Sequence, residues 1–178
     1  MRAKTGIQLL FTLLLLGSFT FPITAENEEY SIKAAFIYKF TNYIDWASEE
    51  VQSSGSDFVI GVVGSSPIYD ELNELAKTKT IKGKKIVVKK YNTPEDIGAC
   101  QILFISRKVT NPLYEILIYA KDKGTLTISE QPGYASLGTQ VNFVLVDNKL
   151  KFEANPRAMF AAGITASSQL LKLAIIVN

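Results

Sequence analysis

The chain has 178 residues, with 19 Lys and Arg residues against 17 Asp and Glu residues, one Cys and no His. This near balance of charge leaves no electrostatic footprint for nucleic acid, so a nucleic-acid partner is not expected. A chain without His also lacks the side chain used most often as a general base and metal ligand, so we predict no zinc site, no Ser-His-Asp triad and no cofactor. One Cys cannot form an intrachain disulfide.

The first 25 residues have the pattern of a secretory signal peptide. Arg2 and Lys4 precede an apolar stretch from Ile7 to Phe21, and small residues follow as far as Ala25. This pattern predicts cleavage after Ala25 and export to the periplasm. An uncleaved membrane anchor is the alternative, but the apolar stretch is shorter than the ~20 residues of a spanning helix. Residues 26–178 then form one domain with 17 basic and 17 acidic residues and no stable membrane span.

An amphipathic helix is predicted from Glu26 to Trp46. The apolar residues that recur at helical spacing are Ile32, Phe36, Phe40, Tyr43 and Ile44. Further aromatic residues crowd this segment and cannot all share one narrow apolar stripe. We therefore expect some of the side chains to face a partner, since Tyr and Trp contribute much contact energy in interfaces.

Strands and helices alternate through the middle of the chain. The run Phe58 to Val63 is continuously apolar and predicts a strand covered on both faces. The further predicted strands are Lys85 to Tyr91, Gln101 to Ser106 and Thr125 to Ser129. Helix starts are predicted where a capping residue precedes a proline, at Ser66-Pro67, Thr93-Pro94, Asn111-Pro112 and Asn155-Pro156. The pattern predicts an α/β domain whose mostly parallel sheet has helices on both faces.

The C-terminal region is predicted to add a β-hairpin and a terminal helix. Two alternating runs, Gln140 to Val146 and Lys149 to Ala154, flank the short polar turn Asp147-Asn148. From Pro156 to Val177 small and apolar residues predict one long helix, buried in its own core or against a second subunit. No internal repeat or linker divides residues 26–178.

The predicted sheet indicates one candidate ligand crevice. In a parallel sheet, ligands bind beyond the carboxyl ends of the strands, where Ser65, Ser66, Ser106 and Arg107 are expected. Ordinary capping and turn chemistry is the alternative interpretation of these residues. The single Cys100 precedes an apolar strand and is interpreted as a small buried residue.

Two sets of charged residues are further candidates for a functional site. The lysine run, which comprises Lys82, Lys84, Lys85, Lys89 and Lys90, is interpreted as the solvated face of one strand. Glu130 and Glu153 are the nearest approach to a carboxylate pair, but nothing in their spacing implies that they meet. We therefore assign no catalytic residue.

Four sequence blocks resemble the YfiR family of periplasmic regulators. In chain order they are KAAFIYKFTNYIDW, CQILFIS, LTISEQPGYASLG and VNFVLVDNKLKFEANPRAMFAAGITASSQLLKLA. Together they reach from about Tyr30 to the C-terminus. The resemblance implies an α/β fold, often dimeric, that restrains a membrane-bound diguanylate cyclase by contacting its periplasmic domain. It also implies release of that restraint through an outer-membrane protein, and related domains are found ahead of sensor kinases.

The sequence departs from the family pattern in three places. Ala47 follows Trp46 where a proline is usual, and Lys151 stands where an arginine is common. Family members with redox-sensitive disulfides have several cysteines, whereas this chain has only Cys100. Redox control through an internal disulfide therefore cannot be carried over.

Two functional hypotheses follow from the sequence. The first is a periplasmic regulator, not an enzyme, that lowers cyclic-di-GMP production through protein contact, with exposed contact residues at Lys39, Tyr43, Trp46 and Arg157. The second is a periplasmic small-solute binding protein that uses the crevice near Ser65, Ser66, Ser106 and Arg107. A sensor-kinase input module is a further alternative. An enzyme ranks third, because the residues suited to acid-base catalysis are few.

Overall fold

The structure is a computed structural model that describes residues 25–47, 56–121 and 123–177. Residues 1–24, nearly all of the predicted signal peptide, lie outside the described residues. The strands are β1 Ile44–Trp46, β2 Asp57–Val63, β3 Thr80–Ile81, β4 Lys84–Tyr91, β5 Ile102–Ile105, β6 Leu126–Ser129, β7 Val141–Val146, β8 Lys149–Ala154, β9 Ile164–Ala166 and β10 Ile175–Ile176. The helices are α1 Ala25–Phe40, α2 Ile68–Ala76, α3 Leu113–Lys121, α4 Pro156–Ala161 and α5 Ser168–Leu173, with a 3-10 turn at Pro94–Asp96.

Within the described residues, eight strands form one sheet in the order β10-β8-β7-β6-β5-β2-β4-β3. The five neighbours β4, β2, β5, β6 and β7 run parallel, and β3 and β8 run antiparallel to β4 and β7. The chain first places β4 on one side of β2 and then β5 on the other. Connections therefore reverse direction between β2 and β5, and such a reversal opens a crevice at the carboxyl edge of the sheet.

Helices cover both faces of this sheet, which confirms the predicted fold class. On one face α1 and α2 pack with a cluster of aromatic rings, and the Phe40 and Phe152 ring centroids lie 4.9 Å apart. On the other face α3 packs Ile116 and Ala120 against residues of β2 and β5. All four residues of β5 are buried, as expected for a strand with both faces covered.

The predicted hairpin is confirmed as β7 and β8, which pair from Val141 with Ala154 to Val146 with Lys149. Asp147 and Asn148 join them with φ values of 52° and 57°. Positive φ at both central residues is typical of the tight hairpin turn whose twist matches that of the strands, and Asn and Asp tolerate this conformation better than most residues.

The first helix is shorter than predicted, and its buried face only partly coincides with the predicted one. It ends at Phe40, and the amides of Asn42 and Tyr43 donate to the carbonyls of Lys39 and Phe40 in a final turn. The segment from Ile44 to Trp46 is strand β1, which pairs with β9. The residues of α1 buried in the core are Tyr30, Lys33, Ala34, Ile37 and Phe40, whereas the predicted core residue Ile32 is 43% exposed.

The predicted terminal helix from Pro156 to Val177 is wrong in extent. Gly163, with φ at 67°, follows α4 in a left-handed conformation that suits glycine and ends the helix. Strand β9 comes next, and the Ser167 hydroxyl then accepts from the amide of Leu170 to cap the short helix α5. The chain finishes with β10, which pairs with β8 at one edge of the sheet.

Candidate functional site

The four predicted crevice residues lie beyond the carboxyl ends of β2 and β5, where the sheet connections reverse. The Ser106 hydroxyl donates to the Ser65 carbonyl at 2.6 Å and accepts from the Lys108 amide at 3.0 Å. Ser66 accepts from the amide of Ile68 and so caps the start of α2. Ser106 thus holds the two loops together, and the capping interpretation of Ser66 describes its contact in the structure.

An open cleft of about 710 Å³ lies between these loops and the end of β4. We call it the edge cleft. Ser65 and Ser66 line it, but Ser106 and Arg107 do not. Its other lining residues are Asn27, Gly64, Pro67, Asp70, Lys90, Tyr91, Asn92, Lys108, Thr110 and Asn111. Amides, hydroxyls and charged groups therefore dominate the edge cleft, which includes two of the four residues predicted to line a ligand crevice.

Arg107 belongs instead to a neighbouring group of charged side chains, of which Lys33 and Glu130 are buried. This ion cluster consists of Glu29, Lys33, Arg107 and Glu130. The Lys33 ammonium lies 2.6 Å from the Glu130 carboxylate and also pairs with Glu29, one helical turn away. The Arg107 guanidinium lies 3.2 Å from Glu130 and 3.1 Å from Glu29. Two cations and two carboxylates thus neutralise one another and join α1 to the loops after β5 and β6.

Glu130 is the centre of this cluster. Its side chain is fully buried, and it accepts further hydrogen bonds from the Tyr30 hydroxyl at 3.1 Å and the Arg107 amide at 3.2 Å. Burial alone would raise the pKa of the carboxyl, but the hydrogen bonds and charges of Lys33 and Arg107 outweigh it and lower the pKa. Burial and the charge of Glu130 raise the pKa of Tyr30 to about 12.

A smaller groove of about 340 Å³ opens beside the ion cluster. All four members of the cluster line it, and its other lining residues are apolar, namely Pro132, Phe143, Val144, Leu145 and Leu150. A groove that combines buried charges with an apolar wall is suited to an amphipathic group.

Few local patterns in the sequence indicate the ion cluster. Glu29 and Lys33 stand four residues apart, a spacing that brings opposite charges together on a helix. Lys33 also lies on the same helical face as Tyr30 and Ile37, which is unusual for a lysine. Glu130 does not contact Glu153, which instead accepts from Asn142 at 2.9 Å, so no carboxylate pair forms.

The four predicted partner-contact residues differ in exposure. Lys39 and Arg157 are exposed, and Tyr43 is 39% exposed. Trp46 is only 4% exposed, so the expectation that it faces solvent is wrong. Its indole N–H donates to the Gln101 carbonyl at 3.2 Å, and its ring packs edge-on against Phe58. Trp46 is therefore a core residue that fastens β1 to the main sheet.

Cys100 is buried, as predicted, with 2% of its surface exposed. Its sulfur lies 3.9 Å from the Thr125 hydroxyl oxygen. Burial raises the pKa of the thiol to about 11, so the thiol stays protonated at neutral pH. Because the thiolate is the reactive form, Cys100 is chemically quiet in the folded protein.

These features define an α/β protein with a polar cleft and an ion cluster around the buried Glu130 at one edge of its sheet. In the described part of the chain, no three His, Cys, Asp or Glu side chains are placed to hold a metal ion. No described helix has the length and apolar character needed to cross a membrane.

The sequence matches a protein-family model described as YfiR/HmsC-like over residues 30–175. The chain therefore belongs to the YfiR/HmsC-like family. This family is known for periplasmic regulators of diguanylate cyclases, and its role is regulatory and not catalytic. A comparison with curated proteins finds no match.

Proposed function

We propose that this protein is a periplasmic regulator that binds the extracytoplasmic domain of a membrane-bound diguanylate cyclase and lowers cyclic-di-GMP production. The observation that carries the proposal is the family match over residues 30–175, which spans nearly all of the described fold. Export rests on the pattern of residues 1–25. A sensor kinase is the alternative partner, and an outer-membrane protein is proposed to relieve the inhibition.

The proposed partner surface surrounds the end of α1. Lys39 and Tyr43 are exposed there, and the Tyr43 carbonyl accepts from the Ser167 amide at 2.8 Å. This contact and the pairing of β1 with β9 fix the backbone of Tyr43 against the C-terminal region that also carries Arg157. A Tyr side chain on a fixed backbone loses little conformational entropy on binding, which favours its use in an interface.

A homodimer is proposed to use apolar side chains that α4, α5 and β10 expose. The exposed apolar residues there are Phe160, Leu173, Ile175 and Ile176, with Phe160 85% exposed and Leu173 76% exposed. Large exposed apolar side chains next to an edge strand are typical of a contact surface. Sedimentation of the wild-type chain and of Phe160→Ser tests this proposal, which predicts that the substitution shifts the protein towards monomer.

The partner proposal is tested with residues 26–178 and the purified periplasmic domain of the cyclase. Tyr43→Ala is expected to weaken binding by tenfold or more, because truncation of an interface Tyr commonly costs about 2 kcal/mol. Tyr114→Ala is the matched control, since Tyr114 is 64% exposed on α3, on the opposite face of the sheet from α1. Equal affinity of the wild type and Tyr43→Ala for the cyclase domain would reject the surface.

A second readout tests the biological direction of the effect. Deletion of the gene is expected to raise cellular cyclic-di-GMP, and the full chain with its signal peptide is expected to restore the lower level. A version without residues 1–25 is expected to remain in the cytoplasm and fail to restore it. An unchanged cyclic-di-GMP level after deletion would contradict the regulatory function.

A second candidate function is the binding of a small solute in the edge cleft. The observation that favours it is the cleft itself, which lies at the reversal of the sheet connections. Thermal melts with a panel of metabolites test it, because a ligand that binds only the native state raises the melting temperature.

A further inference from the structure

The charged residues that line the edge cleft are Lys90, Lys108 and Asp70. Lys90 belongs to β4, Lys108 follows β5 and Asp70 lies in the first turn of α2. None of the three forms an ion pair with another described residue. The cleft therefore keeps an excess of one positive charge, unlike the neutralised ion cluster beside it.

The positions of both lysines are restrained by neighbouring groups. The Lys90 ammonium lies 4.0 Å from the centroid of the Tyr69 ring, a cation-π contact that keeps the positive charge. The Lys108 amide donates to Ser106, whose hydroxyl in turn donates to Ser65. These contacts restrain the Lys90 side chain and the backbone of Lys108, and both lysines line one cleft. Two ammonium groups at one cleft can together bind an anion.

The start of α2 is not the main anion donor in this cleft. The Ile68 amide donates to the Ser66 hydroxyl, and the Asp70 amide donates to the Pro67 carbonyl. Pro67 itself has no N–H group. The positive charge that remains available to a ligand therefore comes from the side chains of Lys90 and Lys108.

The rest of the lining indicates the chemistry of the remainder of the ligand. The carboxylate of Asp70 can only accept hydrogen bonds, so it favours a ligand that carries hydroxyl groups. The amide and hydroxyl side chains around it both donate and accept, namely Asn27, Ser65, Asn92, Thr110 and Asn111. At about 710 Å³, the cleft has the size of sites that hold whole metabolites, roughly 300–1,000 Å³, and is much larger than a single phosphate needs.

We propose that the edge cleft binds a soluble organic phosphate with a hydroxylated carbon skeleton, such as a sugar phosphate. The phosphate group lies between Lys90 and Lys108, and the hydroxyl groups face Asp70 and the surrounding amides. This proposal names the ligand class for the second candidate function and rests on it. It does not depend on which protein the chain regulates.

Ribose 5-phosphate is the probe, and binding to residues 26–178 is measured by calorimetry and by thermal melts at constant ionic strength. We expect saturable binding of ribose 5-phosphate, weaker binding of inorganic phosphate and no binding of ribose. Lys90→Gln and Lys108→Gln should each weaken the binding of ribose 5-phosphate about tenfold, which is the effect of losing one charge-assisted hydrogen bond. Lys108→Arg keeps the charge and should retain most of the affinity.

Two further variants complete the design. Lys151→Gln removes the same charge from β8, four strands and about 19 Å from β2, and should leave binding unchanged. Asp70→Asn removes the negative charge and should therefore strengthen the binding of inorganic phosphate. It should also reduce the ratio by which ribose 5-phosphate binds more tightly than inorganic phosphate.

Three results would overturn the proposal: no saturable binding of ribose 5-phosphate, equal binding of ribose, or an equal loss of affinity in Lys151→Gln. The same melts include neutral and carboxylate solutes. A shift with those solutes but not with sugar phosphates would reject the ligand class and retain solute binding, whereas no shift with any solute would reject both.

Discussion

The carboxyl edge of the sheet has two polar regions, and they differ in whether their charged side chains form ion pairs. In the ion cluster, Lys33 and Glu130 are buried, and each charge has an oppositely charged partner within the protein. In the edge cleft, Lys90, Lys108 and Asp70 have no ion pair with a described residue. The two regions meet at the loop after β5, which contributes Arg107 to one and Lys108 to the other.

This difference separates a region that stabilises the fold from a region that can accept a ligand. A buried charge must be paired, because an unpaired charge in the interior costs several kcal/mol. A charge at an open cleft is hydrated and can exchange its water for a ligand at little cost to stability. Substitutions in the ion cluster should therefore change stability, and substitutions in the edge cleft should change binding.

The largest effect is expected from Glu130→Ala. The substitution leaves the buried ammonium of Lys33 with only the partly exposed Glu29, and breaking a buried pair from one side typically costs about 3–5 kcal/mol. Urea denaturation of residues 26–178 measures the loss. Glu74→Ala is the control, because Glu74 pairs with Lys77 on the exposed surface and should cost about 0.5 kcal/mol or less. Equal losses of unfolding free energy in both variants would contradict the expectation that the ion cluster stabilises the fold more than a surface ion pair does.

The pH dependence of stability is the second test. Glu130 has a pKa below its ordinary value of 4.5 in the folded protein, so its ionised form stabilises the fold at pH values above that ordinary value. This stabilisation is lost as the pH falls through the folded pKa. The difference in unfolding free energy between the wild type and Glu130→Gln should therefore be constant from about pH 6 to about pH 7 and shrink below about pH 4. A difference that does not change with pH would show that the charge of Glu130 is not the source.

An intermediate effect is expected from Ser106→Ala, at the boundary of the two regions. The substitution removes the donor to the Ser65 carbonyl and the acceptor of the Lys108 amide. Leaving such groups without partners costs about 1–3 kcal/mol. Ser136→Ala, at an exposed position, is the control for denaturation. A loss no larger than that of the control would show that Ser106 does not hold the loops.

Local patterns predicted much of the fold but not all of its boundaries. Apolar runs and Asp147-Asn148 predicted the parallel strands and the hairpin, because these features depend on neighbouring residues. The pairing of β1 with β9 joins Ile44 to Ala166. These residues are far apart in the chain, so no local pattern predicts the pairing. This pairing turns the predicted end of α1 into a strand and interrupts the predicted terminal helix.

The candidate site was predictable to a similar extent and for the same reason. Ser65, Ser66 and Ser106 lie beyond the carboxyl ends of β2 and β5, as the strand pattern predicted, but only Ser65 and Ser66 line the edge cleft. The contact of Lys33 with Glu130 spans 97 positions in the sequence, so the ion cluster required the structure. Lys90 and Lys108 were not predicted as cleft residues, because a lysine at or after the end of a strand is equally compatible with a solvated side chain.

The smallest effect on stability is expected from Lys108→Gln. Lys108 is exposed and lacks an ion pair with a described residue, so its loss should change the unfolding free energy by about 0.5 kcal/mol or less. Its neighbour Arg107 provides the contrast, since Arg107→Gln removes contacts with Glu29 and Glu130 and should cost more. Denaturation of both variants without added phosphate compares adjacent positions of one loop. A larger loss for Lys108→Gln would mean that the edge cleft also supports the fold.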